Sequence, residues 1–167
     1  MIRFPRDFLW GAATSAHQVE GNNTGSDWWK WEQGGGGKEP SGLACRHYLQ
    51  YRQDFDLVRS LGHTCHRLSI EWSRVQPARG EFSLEALDHY KDVIAALRER
   101  HIEPVVTLHH FTNPQWFTDM GGWAHPEAVK LFRAYAERVI DVLAGDVTYW
   151  VTINEPLIYL FYGYIAG

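Results

Sequence analysis

The stretch Val147-Thr148-Tyr149-Trp150-Val151-Thr152-Ile153-Asn154-Glu155-Pro156 decides how the chain is read. Its first seven residues are mostly β-branched or aromatic and form a run of strand length. The absence of strict polar alternation suits a strand buried on both faces, as in a parallel sheet. Pro156 cannot continue a strand ladder, so Asn154 and Glu155 fall at the C-terminal end of the run.

Working outward, three more runs of this kind precede it, at 8–13, 64–70 and 104–108. Amphipathic helices separate them. Tyr48, Tyr51, Phe55, Val58 and Leu61 recur at three- and four-residue steps, with Gly62 as a stop. Leu87, Tyr90, Ile94 and Leu97 repeat the pattern behind Ser83 as N-cap. Val129, Phe132, Ala136, Val139 and Leu143 form the third helix, opened by Pro126 in the first turn and closed by Gly145. The order is a βα repeat, with strands side by side and helices outside.

The polar residues gather at one end of this arrangement. Gln18 and Glu20 follow the first run and Arg67 lies within the second. His109 and His110 end the third; Asn154 and Glu155 end the fourth. A (β/α)8 barrel builds its active site on that face, and core packing alone gives no reason for such a gathering. No Gly-x-Gly-x-x-Gly turn follows the first run, which disfavours a doubly wound sheet. A whole barrel needs eight strands and roughly 250 residues. The expected fold is therefore α/β, an incomplete (β/α)8 TIM barrel. Residues 1–167 supply about four N-terminal βα units of eight and stop just past the fourth strand.

The 16 Lys+Arg against 20 Asp+Glu give a net charge of −4 without basic runs, which argues against a nucleic-acid partner. The start, Met1-Ile2-Arg3-Phe4-Pro5, has no apolar leader, and no run approaches the roughly 18 apolar residues of a membrane span. A cytoplasmic protein without a membrane partner is expected, and Cys45 and Cys65 alone cannot build a disulfide framework. His63, His66, His109 and His110 lack the spacing of a zinc site, so no metal is expected. Gly34-Gly35-Gly36-Gly37-Lys38 brushes against a phosphate loop, but Glu39 stands where Ser or Thr must hold Mg²⁺. A stretch of the first βα loop is the better reading.

Five ordered motifs carry a resemblance. The segment from Phe8-Leu9-Trp10-Gly11 through Ser15-Ala16-His17-Gln18-Val19-Glu20-Gly21 resembles the N-terminal signature of glycoside hydrolase family 1, the retaining β-glucosidases and their relatives. His66-Arg67-Leu68-Ser69-Ile70-Glu71-Trp72-Ser73-Arg74, Thr107-Leu108-His109-His110-Phe111, Gly121-Gly122-Trp123 and Thr152-Ile153-Asn154-Glu155-Pro156 follow in the family's order. The resemblance implies hydrolysis of a β-glucoside or related β-glycoside, with no cofactor.

Retaining hydrolysis needs two carboxyl groups, a general acid and a nucleophile, about 5–5.5 Å apart. By resemblance Glu155 is the acid/base. At a barrel mouth its carboxyl would be partly desolvated, which favours the protonated form that an acid needs. The resemblance also makes Asn154 the partner of the sugar 2-hydroxyl, with Gln18 and His110 holding other hydroxyls. Arg67 would keep the nucleophile ionised; a plain ion pair with Glu71 or another barrel carboxylate is its bland alternative, and a buried core histidine is that of His110. Phe111 departs from the family's usual tryptophan, keeping a stacking face but losing the indole donor. Trp28, Trp29 and Trp31 could form sugar platforms, although packing under a long loop is the commoner role of such residues.

The family's nucleophile lies in a Thr-Glu-Asn-Gly motif, which these residues do not contain. Glu20 and Glu71 fit structural roles and are not substitutes. The chain is thus expected to have little or no activity alone. With two open strand edges, it is expected to assemble with copies of itself or to need a missing C-terminal half.

Overall fold

A computed structural model describes residues 3–36 and 39–166. In chain order its elements are β1 (Gly11–Ala13), α1 (Ala16–Val19), α2 (Asp27–Gln33), α3 (His47–Ser60), β2 (Cys65–Ser69), α4 (Trp72–Val75), α5 (Leu84–Glu99), β3 (Glu103–His109), α6 (Gln115–Asp119), α7 (Ala128–Leu143), β4 (Tyr149–Ile153) and α8 (Pro156–Leu160). A 3-10 turn at Gly122–Ala124 and a π-helical turn at Phe161–Ile165 complete the list.

The strands lie in the order β1-β2-β3-β4 and every neighbouring pair is parallel. This is one side of a (β/α)8 barrel. Successive strand residues face opposite sides. Leu68, Val106, Leu108 and Trp150 face the helix layer and join Phe55, Tyr90, Ile94, Leu97, Tyr135 and Val139 in one core. Arg67 and Thr107, at alternate positions, face the other way. The register sets Ser69 beside Thr107 and Thr107 beside Val151.

The long helices form for the reasons their sequences give. Ser83 Oγ accepts the Ala86 N–H at 3.1 Å and caps α5. Gly62, at φ +78°, turns the chain after α3. The boundaries differ in places. Leu61 lies past the end of α3 and is 65% exposed. Pro126 precedes α7 rather than opening it. Val129 points to solvent because the buried stripe of α7 runs through Ala128, Tyr135, Val139 and Leu143.

The strands differ from expectation in length and burial. β3 gains Glu103 and His109, β4 begins at Tyr149, and β1 is reduced to three residues. Phe8 and Trp10, expected in the first strand, instead pack on Phe4 with ring centroids within 4.8 Å. Burial on both faces holds for β2 and β3 only. Every residue of β1 is exposed and none of β4 is buried, because each has a sheet neighbour on one side alone. At Gly11 a Cβ would lie 2.3 Å from the Cys65 carbonyl oxygen, so this close approach of β1 to β2 requires glycine.

The glycine run follows α2 and not a strand, and its Gly37 and Lys38 lie outside the described residues. No helix among the described residues is long and apolar enough to cross a membrane.

Candidate active site

The C-terminal ends of the four strands collect the candidate residues. Arg67 projects from β2 across β3. Its Nε donates to Thr107 Oγ1 at 2.9 Å and its Nη2 donates to Asn154 Oδ1 at 2.7 Å. The Asn154 backbone N–H donates to the His109 carbonyl at 2.8 Å, so the residue after β4 is fixed at both ends. With the Arg67 guanidinium bound to its oxygen, the orientation of the Asn154 amide is fixed and its N–H donors are available to a ligand. Glu71 is not the partner of Arg67: its carboxylate accepts from Ser73 and Thr112.

A small open cleft beside this bridge is lined by Ser15, His17, Gln18, Trp28, His110, Phe111 and Thr112. It brings Gln18, His110 and Phe111 together from the turn after β1 and the end of β3. Gln18 is exposed and its Oε1 accepts from Ser15 Oγ at 2.7 Å, which leaves its amide donors free. His110 is half-buried and its Nδ1 has no partner among the described residues. Burial, then Arg67 and His109, push its pKa down to about 4, so the ring is neutral near pH 7 and able to both donate and accept. His109 is the buried histidine of the pair, 1% exposed and hydrogen-bonded to Asn113 Oδ1 at 3.0 Å.

Glu155 stands apart from that cleft. It is exposed, makes no side-chain hydrogen bond among the described residues, and does not line the cleft. The desolvating walls expected around its carboxyl are therefore not supplied by these residues. Its backbone is left-handed at φ +43°, as is that of Phe111 at φ +70°. Both strained residues follow strand ends, where backbone strain collects in functional loops.

The buried carboxylates have other tasks. Glu20 accepts from Arg74 Nε at 2.8 Å and from the Tyr90 hydroxyl at 3.0 Å; Arg74 also donates to the Gly21 carbonyl. Burial raises its pKa to about 7 against the lowering pull of Arg74, with the Glu71 charge adding to the rise. Asp27, raised by burial, is held by Asn113 through backbone and side chain and by Thr118. Asn113 also donates to the Tyr159 hydroxyl, so this residue joins α2, the loop after β3 and α8. Nothing in the one-dimensional pattern singles out Thr112 or Asn113, and Thr107 stands there only as the first residue of its motif. Only the register and the loop path bring them to the site. No group of three or more His, Cys, Asp or Glu residues among those described could hold a metal ion.

Comparison with known proteins matches this arrangement to a class of enzyme. The family described as glycosyl hydrolase family 1 matches residues 1–167, and the chain belongs to that family. It is 38% identical to coniferin β-glucosidase of Pinus contorta, over 98% of this chain and 34% of that protein. It is 31% identical to a 1,4-β-D-glucan glucohydrolase of Thermotoga neapolitana, over 100% of this chain and 41% of that protein. A solved β-glycosidase from Pyrococcus horikoshii superposes with a TM-score of 0.92 at 46% identity, covering 97% of this chain and 38% of that one. The chain thus spans about two fifths or less of the length of these proteins.

Proposed function

We propose that the chain is the portion of a retaining β-glucosidase-type hydrolase that holds the sugar and supplies the proton. Glu155 gives its proton to the departing glycosidic oxygen and later takes one from water. Asn154 donates to the sugar 2-hydroxyl, a contact that strengthens as charge develops at the anomeric centre. Gln18 and His110 hold the remaining hydroxyls, Phe111 supplies a stacking face, and Arg67 orients Asn154 and faces the position of the nucleophile. The observation that carries this reading is the Arg67–Asn154 bridge set beside the cleft of Gln18, His110 and Phe111. The relatives' names, β-glucosidase and 1,4-β-D-glucan glucohydrolase, point to a β-linked glucoside as substrate.

The second carboxylate of the reaction comes from outside these residues. Glu20 and Glu71 are buried and fully engaged with Arg74, Tyr90, Ser73 and Thr112, so neither is free to attack an anomeric carbon. The exposed edges β1 and β4 favour a second reading, a partial barrel that assembles with copies of itself and binds sugar without turnover. Thermal unfolding with and without glucose tests sugar recognition. Glucose is expected to raise the midpoint of the wild-type chain and to leave Gln18→Ala and His110→Ala variants unmoved. No shift in the wild type contradicts the assigned sugar site.

A further inference from the structure

The cleft of Gln18, His110 and Phe111 is shaped by a turn that its own residues disfavour. The Thr112 N–H donates to the His110 carbonyl at 2.9 Å, across a single residue, and that residue, Phe111, is left-handed at φ +70°. A three-residue turn of this hand is the rare, strained form of the γ-turn, and an aromatic residue has none of glycine's freedom at its centre. With the turn closed, the His110 and Phe111 rings stand 5.2 Å apart between centroids and line the cleft together with Thr112.

The turn's own hydrogen bond does not hold such a conformation; contacts from two other elements do. Thr112 Oγ1 donates to Glu71 Oε2 at 2.9 Å, with Thr112 6% and Glu71 2% exposed. A hydroxyl bonded to a buried carboxylate is stronger than a neutral pair, and breaking it leaves a buried charge short of a donor. Glu71 is itself held fast. It follows β2 as the N-cap of α4, its N–H donates to the buried Tyr90 hydroxyl at 3.1 Å, and its Oε1 accepts from Ser73 Oγ at 2.8 Å. On the other side of the loop, the Asn113 N–H and Nδ2 donate to the two carboxylate oxygens of Asp27 at 2.9 and 2.8 Å. The Asn113 carbonyl accepts the Asp27 N–H at 2.9 Å. Strain at Phe111 persists because these contacts over-determine the turn.

Of the two carboxylates, Glu71 is the one that grips a residue lining the cleft. We propose that Glu71, acting through the Thr112 hydroxyl, is a positioning residue that keeps Phe111 left-handed and so sets the His110 and Phe111 side chains against the sugar. With its proton committed to Glu71, the Thr112 hydroxyl acts on the sugar through its neighbours. This rests on the reading of the cleft as a sugar site.

Two measurements on the purified chain test it, with every variant checked for its folded spectrum. In calorimetric titration with glucose, Thr112→Val is expected to lose about tenfold in affinity, the effect of one such hydrogen bond. Thr112→Ser, which keeps the hydroxyl, is expected to stay within about twofold of the wild type. Thr112→Val added to Glu71→Ala is expected to change the affinity no further. Thermal unfolding reads the backbone of residue 111 without any sugar. With Thr112 in place, Phe111→Gly is expected to melt higher than Phe111→Ala, because residue 111 is held left-handed. In the Thr112→Val background that order is expected to reverse, since a residue free to relax favours alanine. Unchanged glucose affinity in Thr112→Val, a further loss on adding it to Glu71→Ala, or glycine favoured in both backgrounds overturns the proposal. A wild-type chain silent toward glucose overturns the cleft as a sugar site. The Gly–Ala order then still decides the hold on Phe111: reversal upholds it and persistence overturns it.

Discussion

Arg67 Nη2 donates to Asn154 Oδ1 at 2.7 Å, joining the middle of β2 to the residue after β4 across the full width of β3. The contact spans 87 positions of sequence and fixes which way the Asn154 amide faces. Replacing Arg67 by Met frees that amide and leaves Thr107 and Asn154 without their donor. A loss of about 2 kcal/mol in unfolding free energy is expected, as for a hydrogen bond to a charged group. The glucose-dependent stabilisation should disappear with it. Urea unfolding with and without glucose reads both, and an unchanged glucose response contradicts the role given to the bridge.

Stability should depend on pH in two opposed ways. His66, His89, His109 and His110 are all pushed by burial from 6.5 to about 4. A histidine depressed in the folded state contributes stability above pH 6.5 and loses it as pH falls toward 4. Each adds a slope of at most about 1.4 kcal/mol per pH unit. Glu20 runs the other way: raised to about 7 by burial, it contributes stability below its ordinary 4.5 that is lost as pH rises through 7. Between pH 4.5 and 6.5 the four histidines outweigh Glu20, so stability is expected to rise with pH and to level off above about pH 7. Urea midpoints from pH 4 to 8 measure the curve. The rise between pH 4.5 and 7 should be steeper in Glu20→Gln, and an unchanged curve contradicts the raised pKa given to Glu20.

Gly11→Ala should be among the most damaging single changes in β1. Its methyl would meet the Cys65 carbonyl and sulfur at 2.3 and 2.5 Å, forcing β1 off β2. A cost of about 1–3 kcal/mol follows from overpacking of this kind. Ser83→Ala, which removes only the cap of α5, should cost about 1 kcal/mol. Reversal of this order in thermal unfolding contradicts the register assigned to β1.

The outer strands bear on assembly. β1 presents three exposed residues and β4 none that is buried, while Leu157, Tyr162 and Ile165 near the second edge are 77%, 66% and 67% exposed. Unpaired edges next to exposed apolar side chains favour association. Light scattering across a concentration series should show mass rising above that of one chain. A well-folded monomer at every concentration contradicts this.

Much of the fold was legible because its signals are local. The strands at 64–70 and 104–108 lack polar alternation and are separated by helices with a clear 3.6-residue stripe, so parallel neighbours in sequence order followed. Helices of four to seven residues, such as α1, α2 and α4, are too short to show a helical period in sequence. The exposure of the outer strands is not legible in sequence, because apolar composition alone does not distinguish an edge strand from a central one. The gathering of Gln18, His110 and Asn154 at one end was visible from their positions after strand runs. The Arg67–Thr107–Asn154 bridge was not, since it depends on register between strands 40 and 87 residues apart. Nor could the exposure of Trp28 and Trp31, 43% and 55%, be read, because packing and platform share one helical spacing.

Release of nitrophenol from 4-nitrophenyl β-glucoside tests the division of labour most directly. The purified chain should give none. Mixed with a polypeptide carrying the rest of a family barrel, it should give turnover that vanishes when Glu155 is replaced by Gln. Turnover by the chain alone that is lost in Glu155→Gln would show that a carboxylate within these residues attacks the sugar, and would contradict the assignment.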